Sequence, residues 1–458
     1  MKRGWFWSFR AGTLLVAGAL IGALSSVSTA SPQNQAAPLA RGGRVSGVAR
    51  PDARGTAIGG LAPGTTCMTP GATNYKADCN SIGRPTNETS IAYNGTTFVA
   101  GANDYNSWNG NADLGYYTST DAKTWTDNAP LDLFPHGSNT AAGDPGLAID
   151  AAGVVYYSGI YFDYFDCNVG GLELARRDPS NGSWSYYELL PNSDAEFQDK
   201  PAIMPDERHV FVSWTRYGSC TGIGVPSPIV IFEFNNGPTS TPPIKKLKAP
   251  GSTYSQGSAM ASDGRGGFWI TWEEFPSPDS TIGSIQLAHW RPGMGWVGPR
   301  TISPPGFVDL PSPLPGFAFR DNSFPMITLA DGKPKVVWTS YDTGRGRAYL
   351  WSNGAVTKVS DTGGHQFFPA IATDSNGVLA ISYSQTKQSN SSYDRYLVQG
   401  GPATKVSTAS SFPNNDTFFG GTFIGDYEAI TVAGATAHPI WTDLRAPTYA
   451  QNAMVYSP

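Results

Sequence analysis

A chain of 458 residues with a formal charge of −5 and 15% charged side chains is not built like a nucleic-acid binder, which usually presents a basic face. Fifty-three glycines, 36 prolines and 12% aromatic residues beside so few charges suit an all-β extracellular protein.

In chain order, Lys2, Arg3 and Arg10 precede an apolar run from Ala11 to Leu24 and the small residues Ser28-Thr29-Ala30, the pattern of a secretory signal peptide covering 1–30. The apolar run is too short for a comfortable membrane span. Its removal takes the formal charge to −8. Residues 31–60 are rich in Ala, Gly, Pro, Ser and Arg without periodicity and read as a disordered leader; 61–458 read as one domain.

Four cysteines follow: Cys67, Cys79, Cys167 and Cys220. An even number in an exported chain favours disulfides, and the pairing expected is Cys67 with Cys79 and Cys167 with Cys220. Zinc is the rival, but the spacings match no common ligand pattern.

From Ser90 onward one phrase returns: "SIAYNGTTFVAG", "PGLAIDAAGVVYYSG" at Pro145, "PAIMPDERHVFVSW" at Pro201, and "SAMASDGRGGFWITW" at Ser258. "FPMITLADGKPKVVW" at Phe324, "FPAIATDSNGVLAISY" at Phe368 and "YEAITVAGATAHPIW" at Tyr427 complete the series. Each is a strand, a turn rich in Asp, Asn and Gly, and a second strand, the sign of a β-hairpin. The turns at Asn94, Asp150, Asp206, Asp263, Asp331, Asp374 and Gly434 lie 56, 56, 57, 68, 43 and 60 residues apart. Two further strand-like runs follow most hairpins, as in "GYYTSTDAKTWTD" and "LELARRDPSNGSWSYYEL". Four antiparallel strands repeated at this spacing predict a β-propeller of seven blades, with six as the alternative if two units merge. The seventh unit stops after about three strands, so its missing strand should come from residues before Glu88, since a closed ring leaves no bare edge.

In a propeller, residues just before the first strand and just after the second meet at one mouth. Those positions hold Glu88, Asp144, Asp199, Lys200, Arg320, His365 and Asp426, then Asp104, Tyr105, Tyr164, Arg216, Tyr217, Asp443 and Arg445. An Asp before a strand often only caps backbone amides. Acids together with arginines and tyrosines could do more. Carboxylate pairs serve glycosidic cleavage, with Asp144, Asp199, Glu88, Asp426 and Tyr217 the candidates for acid, base or nucleophile. Arg216, Arg320, Arg445 and Lys200 could hold an anionic group. Asp104, Tyr105, Tyr164, His365, Asp443 and Trp108 complete a candidate sugar-binding surface. His209, His289 and His438 read as packing residues. No HExxH, GxSxG or phosphate loop is present, no cofactor is expected, and no motif indicates a structural Ca²⁺ or other metal.

At "STDAKTW", Ser119 to Trp125, the chain resembles the Asp-box (BNR repeat) of the sialidase superfamily, one residue short and without its Gly. "GRPTNETSIAYNGTTFVAGANDY" and the tail "FIGDYEAITVAGATAHPIWTDLR" are similar to opening and closing blades of secreted bacterial sialidase-like proteins. The resemblance implies a propeller, a carbohydrate substrate and an arginine triad with an Asp acid/base and a Tyr–Glu nucleophile. This chain departs from it: Arg84-Pro85 stands where an Arg-Ile-Pro is usual, and sialidases have six blades. Fold alone does not fix activity. Two readings result: a secreted, monomeric sialidase-like glycoside hydrolase, or a non-catalytic propeller that binds glycans, surface polymers or proteins.

Overall fold

The computed structural model describes residues 39–40, 43–44, 64–67, 73–79, 84–105, 113–131, 140–163, 170–190, 196–206, 208–218, 226–235, 243–387 and 391–458. The expected signal peptide lies outside these residues; inside the expected leader, Leu39–Ala40 and Gly43–Arg44 pair as two short strands. From Thr65 on, every described strand belongs to one of seven antiparallel sheets. The chain is a seven-bladed β-propeller. One 3-10 turn, Pro413–Asn415, is the sole helical element among the described residues, none of which forms a helix long and apolar enough to cross a membrane.

The innermost strands are Thr86–Tyr93, Thr140–Ile149, Phe197–Pro205, Tyr254–Ser262, Met326–Ala330, Gln366–Thr373 and Ala429–Ala433. The repeated phrase has a local cause. Asp150, Asp206, Asp263 and Asp374 each accept a backbone N–H a few residues ahead, from Val154 (2.9 Å), His209 (2.7 Å), Gly267 (2.9 Å) and Val378 (2.8 Å). The carboxylate thereby stands in for backbone partners and closes the hairpin. Trp214, Trp272, Trp338 and Trp441 recur in the second strands and are fully buried, filling the wedges between blades where large rings bury most area.

The ring closes as its open edge requires. Asn74–Lys76 pairs with Asn452–Tyr456 and supplies the fourth strand of blade 7. The same stretch also adds Thr65–Cys67 to the outer strand of blade 1, Trp125–Leu131, making that sheet five-stranded. Asn74 ties the joint: its amide donates to Val406 O (2.9 Å), and its oxygen accepts from the Thr408 N–H (2.6 Å) and the Arg445 guanidinium (3.1 Å).

The Cys67–Cys79 disulfide spans the passage from one blade to the other, with a sequence separation of 12. The cysteines are therefore not thiolate ligands, although Asp127 lies beside them. Cys167 and Cys220 lie outside the described residues. Removing the bridge in a Cys67→Ser/Cys79→Ser variant should cost about 3 kcal/mol, the chain-entropy value for a loop of this size. An unchanged urea midpoint would show that strand pairing alone holds the joint.

Candidate functional site at the axis

Five of the seven innermost strands carry the same β-bulge, where two residues oppose one on the partner strand. The first bulged residue is left-handed in every case: Glu88 (φ 54°), Asp144 (56°), Lys200 (46°), Gly257 (63°) and Phe368 (46°). Left-handed backbone costs a residue with a Cβ roughly 1–2 kcal/mol. Keeping side chains there is the kind of local strain that marks functional positions. Aligned with them in the other two blades are Phe324 and Tyr427. Gly257 adopts the turn without strain, and a Cβ there would sit 2.3 Å from the ring of Phe324, which fills the space.

The bulge turns these side chains to the axis. The Lys200 ammonium spans three blades, lying 4.4 Å from the Tyr427 ring centroid and 5.4 Å from that of Phe324. Burial lowers its pKa, while Asp144, Asp199, Glu88 and Asp426 favour the charged form. Glu88 is pushed well above the carboxylate range, first by burial, then by the charges of Asp144 and Asp426. The two carboxyls lie close enough for each to disfavour ionisation of the other. Asn103 holds the pair, donating to Glu88 Oε2 (2.8 Å) while its oxygen accepts the Asp144 N–H (2.8 Å). The Lys200 N–H donates to Asp144 Oδ2 at 2.9 Å. Opposite, Arg320 grips Asp426 through two parallel bonds of 3.0 and 2.5 Å and lies 4.4 Å from the Phe423 ring centroid. Burial disfavours the guanidinium charge, but Asp426 and Glu88 outweigh it.

Below this cluster runs a channel of about 190 Å³, walled by small residues such as Gly146, Ala202, Ala259 and Ala370 and bordered by Lys200 and Tyr427. Above the cluster, the stretch leading into Asp426 is packed down on Glu88. A Cβ at Gly425 would lie 2.7 Å from the Glu88 nitrogen. The charged residues are accordingly buried and do not line an open mouth.

The structure gathers Glu88, Asp144, Asp199, Lys200, Arg320 and Asp426 and leaves the other candidates apart. Tyr217 is a core side chain beside Trp214 and Phe197, its hydroxyl 3.5 Å from Gln256. Arg216 is 45% exposed and faces Glu196 at 3.6 Å. Arg445 is clamped on Asp443 at 2.6 and 2.9 Å at the ring joint. Asp104 accepts the Tyr117 hydroxyl at 2.8 Å, and Tyr105 packs edge-on against Phe418 and Phe419. His365 stacks on Tyr341 and accepts the Gly346 N–H at 3.2 Å; burial, then Arg345 and Arg347, lower its pKa and keep it neutral. Tyr164 and Trp108 lie outside the described residues. Each of the three arginines expected to hold an anion thus has a carboxylate partner of its own. Residues at the ends of the second strands cap those before the first, as Glu273 does by accepting from Gln256 Nε2 at 2.8 Å. Phe324 and Tyr427 were not among the candidates. Aligning the seven phrases residue by residue puts both in one column with Glu88, Asp144 and Lys200, and that was the available signal.

No protein-family profile matches the sequence, and no curated protein matches it. Solved propellers do. A puromycin hydrolase is similar over 84% of this chain and 53% of its own, at 14% identity and a TM-score of 0.49. A Hadza microbial sialidase is similar over 84% of this chain and 67% of its own (12%, 0.46), and the α-L-arabinanase of Penicillium chrysogenum over 87% and 98% (9%, 0.43). The chain spans about half the length of the puromycin hydrolase. Sialidases and other propeller hydrolases are thus among its structural neighbours, and the likeness is one of fold.

Proposed function

We propose that the protein is a secreted, monomeric glycoside hydrolase of the sialidase-like kind, acting on a glycan that carries acidic sugars. The observation that carries this reading is the buried Glu88–Asp144 pair, held on left-handed backbone and bridged by Asn103. A carboxyl raised by burial and by neighbouring carboxylates is the arrangement of a general acid and its partner. Two carboxyls bridged by one Asn103 side chain form a unit and are not placed as an acid and nucleophile on either side of a sugar. Glu88 and Asp144 therefore act together as the proton donor, and Asp199 is the carboxylate that faces the developing positive charge at the anomeric carbon. Lys200 is the cation for an acidic sugar, since Arg320 is committed to Asp426. Substrate entry needs the stretch around Gly425 to lift from Glu88. The Ser119–Trp125 turn supports kinship with the Asp-box proteins: Asp121 accepts the Lys123 and Thr124 N–H groups at 2.8 and 2.7 Å, and Trp125 is buried.

A panel of sialosides and acidic and neutral polysaccharides tests this. Cleavage of at least one member is expected, with Glu88→Gln lowering the rate about a hundredfold or more at unchanged folding. Absence of cleavage across the panel removes the enzyme reading. The burial of the whole cluster favours the second reading, a propeller that binds glycans without turnover; binding indifferent to Glu88→Gln and Asp199→Asn would establish it.

A further inference from the structure

On the face formed by the hairpin turns, blades 3 and 4 enclose a cavity of about 510 Å³ that none of the axial residues enters. Arg208 and Arg265 line it from equivalent places, each two residues after the turn aspartate of its blade. The turn of blade 5 has Lys333 at the same place, whereas the other four blades have Thr96, Ala152, Asn376 and Thr436. The cations therefore form one crescent over three adjacent blades.

Asp206 also lines the cavity, with one oxygen taken by its own turn and the other buried, and Asp263 is bonded away from it. Asp206 accepts the N–H groups of Arg208 (2.8 Å) and His209 (2.7 Å). Asp263 accepts those of Arg265 (2.8 Å) and Gly267 (2.9 Å), and its other oxygen bonds His289 Nε2 at 2.8 Å. Glu233 lies 3.8 Å from His209 Nε2, and Glu207 lies outside the described residues. Arg208 and Arg265 are exposed, and neither guanidinium pairs with a carboxylate among the described residues. Between Ser262, His209 and Pro292, Gly264 and Gly266 leave part of the wall as bare backbone that a ring can approach. A volume of this size admits one sugar unit.

We propose that this cavity is a binding site for an acidic polysaccharide, whose sulfate or carboxylate groups are held by Arg208 and Arg265 with Lys333 extending the contact. A planar guanidinium fork suits such oxyanions, and cations spaced over adjacent blades suit a polymer with repeated charges. The inference is independent of the axial cluster and holds whether or not that cluster is catalytic.

Calorimetric titration of the full chain with dextran sulfate, polygalacturonate, uncharged dextran and inorganic sulfate tests it. Binding of at least one of the two polyanions and none of dextran is expected, weakening with salt. Arg208→Ala/Arg265→Ala should weaken it about a hundredfold, as two lost charge-assisted contacts would, with an unchanged melting temperature. Arg208→Lys/Arg265→Lys should retain most of the affinity. Equal binding by the double alanine variant, equal binding of dextran, or no polyanion binding at low salt would overturn the proposal. Inorganic sulfate bound as tightly as the polymers would overturn the polysaccharide as ligand.

Discussion

Arg320→Met is expected to destabilise the protein by roughly 3–5 kcal/mol, a loss large enough to unfold many domains of ordinary stability. The guanidinium and Asp426 are both almost fully buried and joined by two bonds. Methionine keeps much of the volume but leaves Asp426 without its countercharge, next to Glu88 and Asp144. The uncompensated charge is the main penalty, because low-polarity surroundings cannot solvate it. A double variant, Arg320→Met/Asp426→Leu, should recover much of the loss, since replacing a whole buried pair by apolar groups is often nearly neutral. Urea unfolding of the three proteins measures this. The result also separates two roles for Arg320: a substrate-binding arginine would leave stability unchanged and affect affinity alone.

The second large effect is one of pH and lies at the ring joint. Asp78 is completely buried, and its carboxyl is raised to about 7 by burial, which outweighs the pull of Lys76 and then of the Thr86 hydroxyl, with Asp104 and Asp127 adding smaller pushes. In the unfolded chain the same group titrates near 3.8. The protonated folded form is thus favoured, and this contribution is complete below about pH 4. Between about pH 4 and 7 the unfolded chain loses its proton while the folded one keeps it, so stability falls, in total on the order of 4 kcal/mol. Asp78→Asn, which stays neutral, should match the native protein at pH 4 and melt higher at pH 8. Parallel melting-temperature profiles from pH 4 to 8 would mean that Asp78 ionises without penalty.

The hairpins were legible because their causes are local. Alternation along a strand and an aspartate folding back on its own amides act within a few residues, as at Asp374, and need nothing from the rest of the chain. Closure was legible too, since an unpaired seventh blade demands a strand and the only chain left precedes Glu88. The fifth strand on blade 1 was not, because Thr65–Cys67 is too short to show alternation.

For the site, the mouth positions could be enumerated but not sorted. Arg216, Arg320 and Arg445 look alike in sequence. Their partners are Glu196, an Asp426 lying 106 residues away, and Asp443. Only the closed ring decides which of them is exposed, buried or tied into the joint. Likewise a bulge shifts Lys200 from a strand position to the axis, and it persists because the surrounding blades over-determine the strained backbone. What the chain determined alone is therefore the repeated sheet and the need to close. Which charges meet, and which of them are raised by their neighbours, was decided by packing, because the energies of buried charges depend on distances that no local pattern encodes.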